Sequence, residues 1–135
     1  MIYLCPMHIH QYYFEKLHVW QNARNLINRI YKVTKEFPNN ENFHLTSQMR
    51  RSVSSVASNI AEGQGRRTKK DQAHFTSIAY SSLIELVNHL ITARDQEYLE
   101  IDEYVELRKQ IDKIGAQLSA LKRVQEAKIN HKSTQ

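Results

Sequence analysis

The residues with the clearest chemical potential are Arg66, Arg67, Lys69 and Lys70, four basic side chains within five positions. They follow Gly63-Gln64-Gly65, which interrupts the apolar periodicity, so we expect them at a turn and at the start of a helix. A dense cluster of this kind binds phosphate by releasing counterions from a nucleic-acid backbone. A solvated helix end that keeps a protein soluble has the same composition, and this alternative stays open. No run of exposed aromatic residues is predicted beside the cluster, so the sequence does not predict base-specific recognition.

Arg67 and His74 would support a different chemistry, the cleavage of RNA. They are separated by six residues at the start of the same predicted helix. This spacing resembles the Arg–His signature of the helical HEPN ribonucleases, in which the two side chains act on an RNA phosphate. Two residue types at a loose spacing often occur by chance, so we expect no enzymatic activity and keep a ribonuclease as an alternative.

Other catalytic and metal-binding patterns are missing from the sequence. A di-metal helical bundle needs repeated Glu-x-x-His pairs, whereas His89 follows Glu85 by four positions rather than three. His8, His10 and His18 lack a cysteine or carboxylate framework, so we expect exposed histidines rather than metal ligands. Glycine-flanked nucleophiles and phosphate-binding glycine loops are also missing, and the sequence predicts no cofactor.

Composition favours a small helical protein with no membrane segment. The chain has 135 residues, of which 41% are hydrophobic and 24% charged, enough to bury a core as one domain. Three glycines and two prolines leave little turn material for a sheet protein. The single Cys5 cannot form an internal disulfide, and the chain start lacks a signal-peptide pattern, so we expect a cytoplasmic protein. The formal charge of +5 suggests an acidic partner such as nucleic acid.

Four segments with helical periodicity predict an all-α fold, an up-down-up-down antiparallel four-helix bundle. The predicted helices cover about residues 13–37, 45–62, 69–93 and 102–125, between an N-terminal extension at 1–12 and a flexible tail at 126–135. Pro38 ends the first helix because proline cannot continue one. Connections of fewer than about ten residues favour antiparallel neighbours.

This topology sorts the charges to the two ends of the bundle. The turn between the second and third helices lies at the same end as the last turns of the fourth helix, and we call this the basic end. Its expected nucleic-acid contacts are Arg66, Arg67, Lys69, Lys70, Lys122 and Arg123, with Lys128 nearby. The opposite end, which we call the acidic end, holds Asp95, Glu97, Glu100, Asp102, Glu103 and Glu106.

The first predicted helix carries more apolar surface than a single core can bury. Its expected inward face consists of Leu17, Trp20, Ala23, Ile27, Ile30, Tyr31 and Thr34. The apolar residues outside that face are Phe14, Val19, Leu26 and Val33. This surplus predicts that the protein associates with copies of itself.

The second predicted helix combines an apolar stripe with small side chains. The stripe, at spacings of four and three, consists of Leu45, Met49, Val53, Val56 and Ile60. Much of the remaining surface is formed by Ser52, Ser54, Ala57, Ser58 and Ala61. Short side chains let neighbouring helices approach closely, so we expect this helix to be buried on more than one side.

Six residues are expected to be structural or to lie in an interface: Arg50, Arg51, Asn59, Glu62, Gly63 and Glu85. Gly63 is the expected C-cap of the second helix, because glycine adopts the left-handed conformation without steric cost. Asn59 and Glu62 are expected to bond the turn or the neighbouring helix. Both arginines are expected to pair with Glu85, with Glu97 or with an acid of a neighbouring subunit, rather than with nucleic acid.

Several of these residues together resemble the family of 23S rRNA-intervening-sequence proteins. The resemblance extends from about Phe14 to Leu121 and rests on Phe37-Pro38, Gln48-Met49-Arg50-Arg51, Ser58-Asn59-Ile60-Ala61-Glu62-Gly63, Ile78-Ala79 and Ser82-Leu83-Ile84-Glu85-Leu86. Members of this family are small bacterial bundles that form homopentameric rings, and no catalytic residues are established for them. Relatives in diversity-generating retroelements bind nucleic acid and a reverse transcriptase. One departure is Ser81, where the family usually has glycine.

The resemblance therefore implies a homo-oligomer, a pentamer, with RNA or DNA and a reverse transcriptase or another protein as partners. Together with the basic end, it predicts a non-enzymatic adaptor that binds nucleic acid. A purely structural or protein-binding oligomer is the first alternative, and the ribonuclease is the second.

Overall fold

A computed structural model of the chain describes residues 9–133, with side chains through residue 129. Within this range the helices are α1 (His18–Thr34), α2 (Leu45–Gln64), α3 (Lys69–Asp95) and α4 (Ile101–Ser133). A short 3-10 turn, Tyr13–Lys16, precedes α1, and a second one, Asn39–Glu41, lies between α1 and α2. The described residues contain no strand. The prediction of an all-α four-helix protein is confirmed.

Each helix packs against two neighbours, in the cyclic order α1, α2, α3 and α4. Side-chain contacts report the directions of the helices. Asn22, near the start of α1, donates a hydrogen bond to Gln117 of α4 (2.9 Å), whereas Arg29, further along α1, pairs with Glu106 near the start of α4 (3.6 Å). Residues further along α1 thus contact residues closer to the start of α4. α1 and α4 are therefore antiparallel, as the predicted up-down-up-down order requires of this pair.

The core is a continuous cluster of aliphatic side chains from all four helices. Its large side chains less than 2% exposed include Leu26, Ile30, Met49, Val53, Val56, Leu83, Leu86, Leu90, Leu107, Ile114 and Leu118. Three of the five stripe residues predicted on α2 are among them, and the other two, Leu45 and Ile60, are also buried. On α4 a buried seam at spacings of four, three and four consists of Leu107, Ile111, Ile114 and Leu118. Each such side chain contributes about 1.5–3 kcal/mol when it leaves water, which makes this cluster the main stabilising element of the bundle.

The first helix differs from its prediction. A continuous helix over residues 13–37 is wrong, because Leu17 has an extended backbone (φ −76°, ψ 129°) that separates the 3-10 turn from α1. The helix also ends at Thr34, and a short turn then buries Phe37. The described part of α4, in contrast, continues to Ser133, past the predicted end at residue 125.

The inward face of α1 is also rotated relative to the prediction. Val19, Leu26 and Val33 are each at most 8% exposed and belong to the core, whereas Tyr31 is 41% exposed. Ala23 belongs both to the predicted inward face and to the face that is actually buried, so spacing alone does not distinguish the two faces. The surplus of exposed apolar surface predicted on α1 is therefore largely absent, because most of these side chains are buried in the protein's own core.

Gly63 has a different role from the predicted C-cap. The helix continues through Gln64, and its cap is Gly65, with a right-handed backbone at φ −89°. Gly63 is buried, and a Cβ atom added to it would lie 2.9 Å from the Cβ of Phe75 on α3. The missing side chain thus lets the last turns of α2 lie directly against α3.

Replacement of this glycine should destabilise the bundle. We expect Gly63→Ala to lower the free energy of unfolding by about 1–3 kcal/mol, because the new methyl group would clash with the Cβ of Phe75, which is bonded to the backbone of α3 and cannot move away by side-chain rotation. Gly65→Ala is the matched control, since its Cβ would meet only the Glu62 carbonyl at an ordinary 3.6 Å. Urea titrations followed by circular dichroism measure both changes. Equal stabilities of the two variants would contradict this role of Gly63.

Candidate nucleic-acid interface

The basic end is organised by the short turn between α2 and α3. Thr68 is the N-cap of α3, and its side-chain oxygen accepts a hydrogen bond from the backbone N–H of Asp71 (3.1 Å). Gln72 donates its side-chain amide to the carbonyl of Arg66 (2.9 Å). The cap satisfies an orphan donor of the helix, and the second bond ties the turn back onto α3. The basic side chains are therefore attached to a backbone segment that hydrogen bonds hold in place.

The four basic residues of this turn are not equivalent. Arg66 pairs with Glu62 (3.1 Å), and its guanidinium lies 4.4 Å from the centroid of the Phe75 ring. Lys69 donates to the side-chain oxygen of Gln72 (3.0 Å). Arg67 and Lys70 are exposed and have no hydrogen bond or ion pair within the described chain. Two charges of the turn are thus already engaged, and two are available to a ligand.

The basic residues of α4 lie further along the bundle. Gln125 is buried and accepts a hydrogen bond from Thr76 (2.9 Å), which fixes α4 against α3. Lys122 lies beside Ser77 and pairs with Glu126 (3.8 Å). At 1.5 Å per residue, Ser77 is about 10 Å along the helix axis from Lys70. Lys122 and the exposed Arg123 therefore extend the basic surface along α4 rather than join the turn itself.

Asn59 and Glu62 bond locally, with one connection to the neighbouring helix. The Asn59 amide donates to the carbonyl and hydroxyl oxygens of Ser55 (2.8 and 3.0 Å), and that hydroxyl lies 2.8 Å from the hydroxyl of Ser82 on α3. Glu62 is exposed and pairs with Arg66. The small side chains on α2 thus form a polar contact as well as a close approach.

Arg50 has partners other than the predicted ones. Its Nε donates to the hydroxyl of Thr34 (3.0 Å), and its guanidinium lies 4.6 Å from the centroid of the Tyr31 ring. A cation at the C-terminal end of α1 is favourable because of the helix dipole. Pairing with Glu85 or Glu97 within the chain is therefore wrong for Arg50, and Glu85 lies instead 3.4 Å from His89. An acid on a neighbouring subunit stays a prediction for the exposed Arg51.

The acidic end is closed by loop contacts. Arg94 donates to the carbonyl of Leu99 (2.8 Å), and Tyr98 packs against Phe37 with a ring-centroid distance of 5.3 Å. Partial burial, followed by the charge of Glu41 and a hydrogen bond to it, raises the pKa of the Tyr98 hydroxyl above its ordinary 10.0. The acids of the first turn of α4 are exposed, so this end repels a polyanion.

The structure reveals an aromatic feature that the sequence analysis missed. His10, Tyr12, Phe14 and Trp20, which we call the aromatic series, make successive ring contacts with centroid distances of 4.7, 6.1 and 5.1 Å. Tyr12 and its neighbour Tyr13 are 59% and 66% exposed. The prediction that no exposed aromatic run accompanies the basic end is wrong.

The aromatic series and the basic turn lie at the same end of the bundle. The first 3-10 turn contacts α2 as well as α1. Because α1 and α2 run in opposite directions, the start of α1 meets the end of α2, where the basic turn begins. The signal in the sequence was the run Tyr12-Tyr13-Phe14, which falls where the predicted extension meets the first predicted helix.

The structure places Arg67 and His74 near the start of α3 and shows no contact between them. Arg67 precedes the cap of α3, and His74 is exposed on the second turn, where its ring contacts Phe75 at a centroid distance of 5.7 Å. Among the described residues, no group of three histidine, cysteine or acidic side chains could hold a metal ion. His8 and Cys5 lie outside the described residues. Among the described helices, none is long and apolar enough to cross a membrane.

Comparisons with known proteins bear on the fold and on the basic turn. The sequence model of a family described as "23S rRNA-intervening sequence protein" matches residues 15–120. No curated protein matches the chain. Among solved structures, the chain is similar to a protein of unknown function from the S23 ribosomal protein family of Bacteroides thetaiotaomicron VPI-5482, with 22% identity and a TM-score of 0.71. That match covers 76% of this chain and 96% of the other, and it shows a shared fold. The basic turn lies inside the family match, whereas most of the aromatic series precedes it.

Proposed function

Because the chain belongs to the family of 23S rRNA-intervening sequence proteins, we propose that it is a non-enzymatic adaptor that self-associates and binds RNA or DNA through its basic end. The observation that carries this proposal is the pair Arg67 and Lys70, exposed and without a partner in the described chain, on a turn held by hydrogen bonds. They stand at the N-terminus of a helix of 27 residues, where the helix dipole also favours phosphate.

The charge distribution favours a sequence-tolerant mode of binding. Arginine and lysine contacts to phosphate position a nucleic acid without reading its bases. The carboxylate of Asp71, next to Lys70, opposes the binding of phosphate. The backbone N–H of Asp71 donates to the side chain of Thr68 and is not available to a ligand. At the other end of the bundle, exposed acids repel the same ligand. A polyanion should therefore bind at one end of the molecule only.

Self-association is supported by exposed apolar side chains on α3 and α4. Tyr80, Ile84 and Ile91 on α3 are 41–50% exposed, and Ile101 and Val105 on α4 are 52% and 41% exposed. With the partly buried Val87, the three residues of α3 repeat at spacings of four, three and four, a second seam beside the one that faces the core.

Between this seam and α4 lies a groove of about 470 Å³, which we call the lateral groove. Gly115 and Ser119 keep its floor open, and Arg108 lines its wall. The Arg108 Nε is buried and has no hydrogen-bond partner in the described chain. A second copy of the protein seated in the groove would cover its apolar residues.

A protein partner belongs to the same proposal, because an adaptor has two partners. A reverse transcriptase or another protein would use a surface that the nucleic acid leaves free. The acidic end is such a surface, since its exposed carboxylates would attract a basic patch on a partner.

The nucleic-acid contacts can be tested with a double charge reversal. We expect Arg67→Glu with Lys70→Glu to remove two phosphate contacts per subunit, which lowers the slope of log affinity against log salt on single-stranded RNA by about 1.4. Fluorescence anisotropy between about 50 and 200 mM salt measures this slope. Neither side chain has a partner in the described chain, so the thermal stability should not change.

The matched control carries the same charge change at the other end. Lys35 and Lys109 are exposed and their side chains have no partner in the described chain, and Lys35→Glu with Lys109→Glu should preserve the salt slope. Equal losses in both variants would mean that only net charge matters and would contradict a specific basic end. Cleavage of the RNA that is lost on His74→Ala would show instead that the protein is a ribonuclease.

The assembly can be tested by light scattering coupled to size exclusion. We expect an oligomer, with the mass of five protomers of 15.9 kDa, that Ile84→Glu converts to a monomer by placing a charge in the lateral groove. Val124→Glu is the matched control, because Val124 is 54% exposed on α4 but does not line the groove. A stable monomer of the unchanged protein at micromolar concentration would refute self-association.

A further inference from the structure

The aromatic series is held in place by local hydrogen bonds rather than by the core. The backbone N–H of Tyr12 donates to the carboxylate of Glu15 (2.7 Å), and the N–H of Glu15 donates back to the carbonyl of Tyr12 (3.1 Å). Gln21 on α1 donates its side-chain amide to the carbonyl of Glu15 (2.9 Å). The turn is thus pinned to α1, and the rings it carries are preorganised before any ligand arrives.

Most of these rings lie outside the core. Trp20 is half-buried and packs against the core with part of its surface, whereas Phe14 is half-buried outside the core cluster and Tyr12 and Tyr13 are mostly exposed. Several large aromatic side chains at one place on a surface indicate a binding site. Flat rings with free faces accept nucleobases, because every base has a π face that can stack on them.

The surroundings of Trp20 are polar and carry hydrogen-bonding groups suited to base edges. A surface pocket of about 510 Å³ beside the indole is lined by Gln11, Glu15, Trp20, Gln21, Arg24, Asn25 and Asn28. The guanidinium of Arg24 lies 5.7 Å from the centroid of the indole. Asn25 and Asn28 are exposed and make no hydrogen bond within the described chain. Side-chain amides both donate and accept, as the edges of bases do.

The charges at this site fit a polyanion. Lys16 and Arg24 lie close to the series in the sequence, with Arg24 beside the indole, and the Glu15 carboxylate accepts a hydrogen bond from the Tyr12 backbone. The basic turn lies at the same end of the bundle, so one strand bound at Arg67 and Lys70 can extend toward the rings. A second copy of the protein has its apolar complement elsewhere, in the lateral groove.

We propose that the aromatic series, with Tyr13 and the pocket beside Trp20, is a stacking platform for unpaired bases, and that the ligand is therefore single-stranded nucleic acid. This inference rests on the proposed binding at the basic end and specifies its substrate class. Bases in a duplex are stacked on one another and cannot lie on protein rings, whereas a flexible single strand can present them. Stacking adds affinity with little sequence preference, on the order of tenfold for each base that stacks.

The experiment compares three fluorescein-labelled probes of equal length: a single strand of uridines, an abasic strand with the same phosphates, and a blunt RNA duplex. We expect the single strand to bind at least about tenfold more tightly than the abasic strand. Trp20 is the only tryptophan of the chain, so its fluorescence should be quenched by the single strand and not by the abasic one.

The variant that tests the platform is Tyr12→Ala with Tyr13→Ala. Because both side chains are mostly exposed, the fold should persist, and affinity for the single strand should fall to near that for the abasic strand with the salt slope unchanged. The control Phe43→Ala removes a ring that is 90% exposed, just before the start of α2, and should change nothing.

The outcomes separate the two proposals. Equal binding of the single and abasic strands, with the expected salt slope, would overturn the platform and keep the basic end. Absence of binding to all three probes would overturn both. A change in assembly mass on Tyr12→Ala with Tyr13→Ala, without a change in affinity, would show that the rings lie between copies of the protein and would overturn the platform.

Discussion

The architecture depends on one close approach, that of the end of α2 to the start of α3. Gly63 permits it, because any Cβ at this position would lie 2.9 Å from the Cβ of Phe75. Further from the turn, the same interface is completed by the hydroxyl contact between Ser55 and Ser82. Small residues thus bring two backbones together over several turns. The connection between the helices can then be only a few residues long, which leaves its basic side chains little freedom of position.

The other helices follow from this pair. A tight α2–α3 layer leaves one long apolar face on each helix, and α1 and α4 cover those faces from the other side. α4 remains in register with α3 as far as the buried pair Thr76 and Gln125. The hydroxyl–amide bond satisfies both polar groups inside an otherwise apolar contact, where an unpaired group would be costly. It also explains why α4 continues beyond the last apolar residue of its seam.

The sequence predicted the features that depend on periodicity and missed those that depend on geometry. The stripe of α2 was predicted because its spacings admit one orientation only. The face of α1 was not, since two overlapping stripes share Ala23, and packing against the other helices chose between them. Gly63 was assigned to a cap because a glycine near a helix end gives the same signal whether it turns the chain or admits a neighbour. The aromatic series was missed because contact between Tyr12, Phe14 and Trp20 requires the extended Leu17, which periodicity does not reveal.

The positions of the three candidate surfaces limit how the copies could assemble. The basic turn and the aromatic series share one end, whereas the lateral groove runs along the side of α3 and α4. A two-fold axis perpendicular to the helices would use this groove but would place the basic ends of the two copies on opposite sides. A cyclic arrangement with its axis parallel to the helices would instead collect all basic ends at one rim, where weak contacts from several subunits act on one strand and add as avidity. Because each subunit offers only a few free charges, the second arrangement is the one in which self-association would strengthen the proposed binding at the basic end.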